Sequence, residues 1–394
     1  MANRKKIYQN GPRVALATTW MFPHVGGVST HMTLLANALG IEEADVLSFA
    51  QIIAQPENFW HRGHRFFASR LRQETVTSHA ERMVHLLRSV DCDVLHCHDA
   101  MATWAAGVSR ERYRKKFRIV STVHGPVSRH MVEHGSSPSS PEVRGVEARE
   151  SLAWQFADQI IAVDSTQKAI CIEQKADPEK ISVIPNAVDL NEIDNKCNLL
   201  RLKKHESEDW LLVPRRLAPK NGVIHAIEAM RMLPARVKLW IAGDGIEESR
   251  YRQALVDLKL ENRVALLGGL PRDVVLMLSS AAKATIIPSV PAYGIVEATS
   301  IAAIEAMACR VPVVASSIGG LAELIEHRTT GLLVPPAQPE AIAAEIKMLL
   351  SGNFDVDGLT DAARSRVEAL YSLPVWMKKI TQVYERALSI QPKN

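Results

Sequence analysis

The stretch TIIPSVPAYGIVEATSIAAIEAMACRVPVVA, residues 285–315, reads as a strand, a loop, a helix and a second strand. Thr285–Pro288 is a short β-branched run closed by a proline, Ser300–Ala308 is a helix of small and apolar residues, and Val311–Ala315 is β-branched again. A strand, a helix and a strand in that order make a βαβ unit, and such units build a parallel sheet. Outward from this unit the alternation recurs. Trp210–Val213, Val237–Ala242, Val264–Leu267 and Gly331–Val334 are strands, with amphipathic helices at Asn221–Met232 and Pro339–Leu350. In the first half, Val14–Thr18, Asp45–Phe49, Asp93–His96, Ile119–Val123, Gln159–Val163 and Ile181–Pro185 alternate with helical segments such as Ser29–Leu39 and Ser78–Val90. Between Asn186 and Asp209 the chain turns polar, which marks a linker. The expected architecture is α/β: two doubly wound Rossmann-like domains facing across a cleft. Residues 1–190 form the first domain and 191–373 the second, and 374–394 form a C-terminal helix that packs back on the first. In such sheets ligands sit outside the carboxyl ends of the strands.

The length of 394 residues suits two domains, each able to bury a core. Hydrophobic residues at 47% and charged residues at 23% exclude disorder, collagen and coiled coil as global readings. A formal charge of +4 is too mild to imply nucleic acid. Cys92, Cys97, Cys171, Cys197 and Cys309 are an odd, scattered set without a CxxC pair, so no disulfide framework is expected and the cytoplasm is the expected compartment. No stretch reaches the ~20 apolar residues that span a bilayer, so any membrane contact is peripheral, at the inner face.

Neither half carries G-x-G-x-x-G between a strand and a helix, which disfavours a dehydrogenase. The first strand leads instead into Pro23-His24-Val25-Gly26-Gly27-Val28-Ser29-Thr30-His31, a glycine loop opening a helix. Its backbone N–H groups suit an anion. The plain alternative is a tight turn capped by Ser29. In the second half, Glu297 and Glu305 bracket seven residues, and the second glutamate lies in an otherwise apolar helix. Carboxylates accept charge-assisted hydrogen bonds from sugar hydroxyls. The plain alternative for Glu305 is a solvent-facing position.

Glu297 and Glu305 match the Glu-x7-Glu pattern of retaining glycosyltransferases of family 4, and the chain resembles that family over nearly its whole length. The resemblance is carried by the Gly26-Gly27 loop, Thr122-Val123-His124-Gly125, Ile184-Pro185-Asn186-Ala187-Val188-Asp189, Arg216-Leu217, Ala242-Gly243-Asp244-Gly245, Glu305-Ala306-Met307-Ala308 and Gly331-Leu332-Leu333-Val334-Pro335-Pro336. It implies a GT-B fold and transfer of a sugar from a nucleoside diphosphate donor, UDP-linked in the first place and GDP-linked in the second. The acceptor is a hydroxyl on a small molecule, a glycan or a lipid-linked sugar.

By the same resemblance Glu297 holds donor-sugar hydroxyls and Glu305 the ribose. Thr299, Ser300 and Ile301 offer backbone N–H groups to the diphosphate, and Gly26, Gly27, Gly243 and Asp244 belong to the donor site. His124 lies at the donor sugar and Arg216 at the phosphates. The lysine that accompanies this arginine in the family has Asn221 in its place here, with Lys220 preceding it, so the catalytic set is His124, Glu297, Arg216 and Lys220. His98 is assigned to the acceptor side. Ala298-Thr299 and Arg310 are further departures, the second at a turn where glycine is usual. An epimerase or phosphorylase of the same fold, or a non-catalytic sugar-binding protein, is the alternative reading.

Asp91-Cys92-Asp93 is formally a metal-binding D-x-D, but it precedes its strand instead of ending one, and no metal or other cofactor is expected. His96, Cys97, His98 and Asp99 alternate across a strand and cannot all converge on one zinc ion. Gly125–Glu150 reads as a mobile acceptor-side loop. Finally, Phe59–Arg72 mixes Trp60 and three phenylalanines with arginines, a composition suited to an anionic or lipid-linked acceptor or to the bilayer surface.

Overall fold

The computed structural model describes residues 11–23, 26–42, 45–48, 76–198 and 209–390. Phe59–Arg72, with its basic and aromatic side chains, lies outside the described residues, as do His24 and Val25 of the glycine loop. By internal contacts the chain divides into two compact units, Met1–Ile184 with Met377–Asn394, and Pro185–Trp376.

In the first unit β1 (Val14–Ala17), β2 (Val94–Cys97), β3 (Arg118–Val123), β4 (Gln159–Ala162) and β5 (Ile181–Val183) form a parallel sheet in that order. Leu47 bridges Ala17 in parallel on the other edge of β1. The expected strand Asp45–Phe49 thus reduces, among the described residues, to this one bridge. β1 is therefore flanked by a later segment on either side, which makes its carboxyl end the switch point of this sheet. β2 and β4 are buried at every position, the pattern of strands covered on both faces.

Burying His96 in β2 requires partners for both ring nitrogens. Nε2 meets Thr122 Oγ1 at 2.7 Å and Nδ1 meets the Tyr384 hydroxyl, on the last helix Leu373–Ser389, at 2.8 Å. Burial pushes this imidazole down to about 3, so it is neutral. The segment Gly125–Glu150 is not a loop: it holds the helix Val127–Glu133 and most of the helix Pro141–Phe156. Ser140 caps the second helix by accepting from Val143 N–H, and Pro141 sits in its first turn. Glu150 is fully buried and accepts from the N–H groups of Val127 and Ser128 and from the Ser128 hydroxyl, so it fastens the start of the first helix to the second.

In the second unit β6 (Asp209–Val213), β7 (Val237–Ala242), β8 (Val264–Gly268), β9 (Ala284–Ile287), β10 (Val313–Ser316) and β11 (Leu332–Val334) lie parallel in the order β11-β10-β9-β6-β7-β8. The chain reverses its direction of build between β6 and β9, and the switch point is there. Side chains alternate across the sheet as period two demands. Ile286 and Val314 join Ala226, Ile227, Ile342 and Ile346 in one core, whereas Ile287, Val313 and Ala315 join Ile304, Met307, Ala363 and Val367 in the other. The polar stretch read as a linker contains the helix Leu190–Asn198, whose Ile193 and Cys197 enter that second core. All five cysteines are buried, and none forms a disulfide among the described residues. Among the described residues no helix is long and apolar enough to cross a membrane.

Candidate active site

At the switch point of the second sheet, the segment after β6 runs Pro214-Arg215-Arg216-Leu217. Two glycines bring neighbouring backbone against it. A Cβ on Gly243 would lie 2.1 Å from the Arg215 carbonyl oxygen, and one on Gly245 would lie 2.4 Å from that of Leu217. Leu217 N–H donates to the Asp244 carbonyl at 2.7 Å. Gly243 and Asp244 therefore shape the Arg215–Leu217 segment through backbone packing. Gly222 takes a left-handed φ of 58°, and its missing Cβ leaves room for the Pro288 carbonyl 2.1 Å from where that atom would be, which seats the Pro219–Asn221 turn against the end of β9.

Glu297 lies in the segment between β9 and the helix Ile301–Ala308. Its carboxylate accepts two hydrogen bonds from Arg215, Nη1 to Oε1 at 2.9 Å and Nη2 to Oε2 at 2.5 Å. Both side chains are nearly buried, at 11% and 12% exposure. The same guanidinium reaches Asn221 Oδ1, Ser289 Oγ at 3.1 Å and Ser300 Oγ at 3.4 Å. Asn221 in turn donates Nδ2–H to the Arg216 carbonyl at 2.7 Å. Arg216 itself is exposed and makes no ion pair among the described residues. Lys220 is half-buried on the adjacent turn.

Thr299, Ser300 and Ile301 are buried at the start of the helix, with Ser300 Oγ accepting from Ala303 N–H as the cap. Two supports fix this turn. Asn186 donates its amide to the Thr299 carbonyl at 2.6 Å, and Gly320 donates N–H to the Glu297 carbonyl at 3.0 Å. Glu305 on the same helix is buried, at 6% exposure, and does not face solvent. Its Oε1 accepts from Arg272 Nε at 2.6 Å, and Arg272 also donates to Glu192 at 3.0 Å. Burial pushes the Glu305 carboxyl up, and the Arg272 guanidinium opposes that rise. Arg310, where glycine is usual, accepts a left-handed φ of 57° and pairs with Asp361.

In the first unit, Gly26 is the cap residue of the helix Gly27–Leu39, and among the described residues no side chain caps it. Ser29 is inside the helix, so the capped-turn reading fails. His31 of this helix, His98 beyond β2 and His124 beyond β3 bring their rings together, with centroids 4.6 Å apart for His31 and His124 and 6.0 Å for His98 and His124. Burial first, then neighbouring imidazoles, hold His98 and His124 well below the ordinary histidine range, so both are neutral. Each of the three offers a ring nitrogen within 4.8 Å of the others. The Asp91 and Asp93 carboxylates both pair with Arg13 at the exposed start of their strand.

The sequence reading missed Arg215, Ser289, Arg272 and the Gly319-Gly320 pair. The doubled Arg215-Arg216 and the doubled glycine after β10 were visible signals, but which member acts depends on backbone direction.

Two family models match in succession, Glycosyltransferase Family 4 over residues 25–192 and Glycosyl transferases group 1 over residues 200–366. An uncharacterized glycosyltransferase of Methanocaldococcus jannaschii is 27% identical, with 94% of this chain and 98% of that protein aligned. Among solved structures, HepE of Anabaena in complex with UDP and glucose superposes with a TM-score of 0.74 at 20% identity, covering 95% of this chain and 99% of that one. Sucrose-phosphate synthase of Thermosynechococcus elongatus gives 0.74 at 21%, covering 95% and 98%. These likenesses show the GT-B fold. With the two models meeting near the boundary between the sheets, the chain belongs to the family 4 glycosyltransferases and is a glycosyltransferase.

Proposed function

We propose that this enzyme moves a sugar from a nucleoside diphosphate donor, UDP-linked before GDP-linked, to an acceptor hydroxyl with retention and without a metal ion. The observation that carries the reading is the pair of carboxylates on one short segment at the switch point: Glu297 held by Arg215, and Glu305 buried eight residues on. Residues 191–373 take the donor and residues 1–190 the acceptor. Glu297 and His124 serve the sugar hydroxyls, His124 as a neutral hydrogen-bonding ring. Glu305 serves the ribose. Support for UDP comes from the HepE complexes, which hold UDP, UDP and glucose, or UDP-glucose.

In the transfer the bond from the anomeric carbon to the diphosphate oxygen breaks and the bond to the acceptor oxygen forms on the same face. The acceptor proton passes to the departing phosphate. Negative charge grows on the diphosphate, and Arg216, Lys220 and the backbone N–H groups at Thr299–Ile301 are the groups assigned to it; Gly26 and Gly27 are assigned to the donor as well. His98 is assigned to the acceptor. That Asp91 and Asp93 are occupied by Arg13 supports the metal-free scheme.

A panel of UDP-, GDP- and ADP-sugars read by nucleoside diphosphate release tests this directly. Release with UDP-sugars that survives EDTA, and a product whose anomeric coupling matches the donor, is the expected result. Loss of turnover in EDTA restored by magnesium or manganese overturns the metal-free part, and an inverted product overturns retention. In the same assay Glu297→Gln is expected to lower kcat with UDP affinity nearly unchanged, whereas Glu305→Ala weakens UDP binding about 10–100-fold. Equal calorimetric losses would reject this division of roles.

A further inference from the structure

Resting on that reading, we propose that Arg215 is the positioning residue of the donor site: it orients Glu297 and balances its charge, a task that the amide at Asn221 cannot perform. The guanidinium meets Glu297 with two parallel hydrogen bonds, which fix the plane of the carboxylate as a single contact would not. Nη1 also reaches Ser300, at the cap of the helix Ile301–Ala308, and Nη2 is shared between Asn221, on the turn after β6, and Ser289, at the end of β9. One side chain thus ties the turn after β6 and both ends of the segment between β9 and the helix to one carboxylate. Its η donors face protein oxygens, and its Nε is buried without an acceptor among the described residues, so the guanidinium is held in place and acts on the donor through Glu297. The adjacent Arg216 is exposed and stays available for phosphate.

Backbone packing makes the choice between the two arginines. Gly243 closes on the Arg215 carbonyl, and Asn221 holds the Arg216 carbonyl, so the peptide between them has little freedom to exchange which side chain turns inward. Asn221 is oriented by the same bond, Nδ2 toward the Arg216 carbonyl and Oδ1 toward Arg215. An ammonium introduced at position 221 would therefore start from a Cβ already beside the pair. That supplies a rescue which a purely structural role for Arg215 does not predict.

The test uses the full chain and the variants Arg215→Gln, Arg215→Lys, Asn221→Lys and Arg215→Gln/Asn221→Lys. Arg215→Gln is expected to lower kcat about 10–100-fold with a smaller change in UDP affinity. Arg215→Lys is expected to lie between it and the parent, because one ammonium cannot grip both oxygens. The double variant should recover at least threefold of the lost kcat. A kcat for Arg215→Gln within threefold of the parent, or a double variant no faster than Arg215→Gln, overturns the proposal. A readout without substrate separates this from the function itself: thermal unfolding of Arg215→Gln, Glu297→Gln and the pair. Strong coupling between the two sites is expected even if no sugar donor in the panel is turned over, and additive effects refute the lock whatever the activity.

Discussion

Alanine at Gly320 is expected to remove nearly all sugar-transfer activity, at least 100-fold in kcat/KM, through a residue far less polar than any in the site. A Cβ there would lie 2.4 Å from Thr299 N, 2.6 Å from the Ala298 carbonyl carbon and 2.9 Å from its oxygen, all backbone atoms that cannot swing aside. Gly319, at a left-handed φ of 45°, approaches the Glu297 carbonyl in the same way. The added methyl must therefore push the Glu297–Ser300 segment away from the end of β10. Overpacking of this kind costs typically 1–3 kcal/mol of stability, which the fold can absorb. The site cannot, because a displacement of about 1 Å at a reacting centre is worth about 100-fold in rate. Gly145→Ala is the control: it sits in the helix Pro141–Phe156 with only the Arg149 guanidinium within 4 Å, and alanine there is expected to be neutral or slightly stabilising. Kinetics and thermal unfolding of both variants decide it. Normal kcat/KM in Gly320→Ala would mean that the glycine pair does not hold the carboxylate segment.

That a backbone contact weighs so much explains which parts of this protein were legible in its sequence. Strand Val237–Ala242 was readable to the residue because Val237, Leu239 and Ile241 alternate with Lys238 and Trp240, the period-two pattern that puts one face in the core. The helix Val356–Leu370 was missed, although Leu359, Ala363 and Val367 recur at helical spacing behind Asp355, which caps Gly358 N–H. Its inward face is small and interrupted by Arg364, so the apolar stripe was weak. The segment between His124 and Glu150 misled for a related reason. Ser136 to Pro141 is rich in turn-formers, but these terminate one helix and cap the next, and the carboxylate that joins the two helices, Glu150, is polar by type and fully buried by position.

Site residues divide in the same way. Glu297 and Glu305 stood out because a carboxylate near or within an apolar helix has no packing reason to be there. Their cations did not. Arg215 and Arg272 lie 82 and 33 positions from their carboxylates, on segments whose proximity is set by strand order alone. His31, His98 and His124 likewise meet only because β1, β2 and β3 are neighbours. Periodicity carries no information on such pairings; the order of the sheet does.

The Arg272–Glu305 pair should show the largest stability effect, because Glu305 is almost sealed from water, at 8% side-chain exposure, and Arg272 is only 29% exposed. Arg272→Met is expected to destabilise the second unit by about 3 kcal/mol at pH 7.5, the usual cost of stranding a buried charge. Glu305 then has burial acting on it without the guanidinium that opposes it, so its carboxyl lies still further above the unfolded value of about 4.3. As pH rises through that unfolded value, the unfolded chain releases its proton first while the folded state keeps it, and stability falls until the folded carboxyl also ionises. The deficit of Arg272→Met should therefore be small near pH 4.5, grow upward through the raised folded value, and level off. Adding Glu305→Gln should restore most of the stability at pH 7.5, because no buried charge remains, and leave UDP binding impaired. Thermal unfolding from pH 4.5 to 8, paired with UDP calorimetry, measures both. A deficit that is flat with pH, or one that Glu305→Gln does not relieve, would mean that Glu192 and Lys196, not Arg272, govern the charge on this helix.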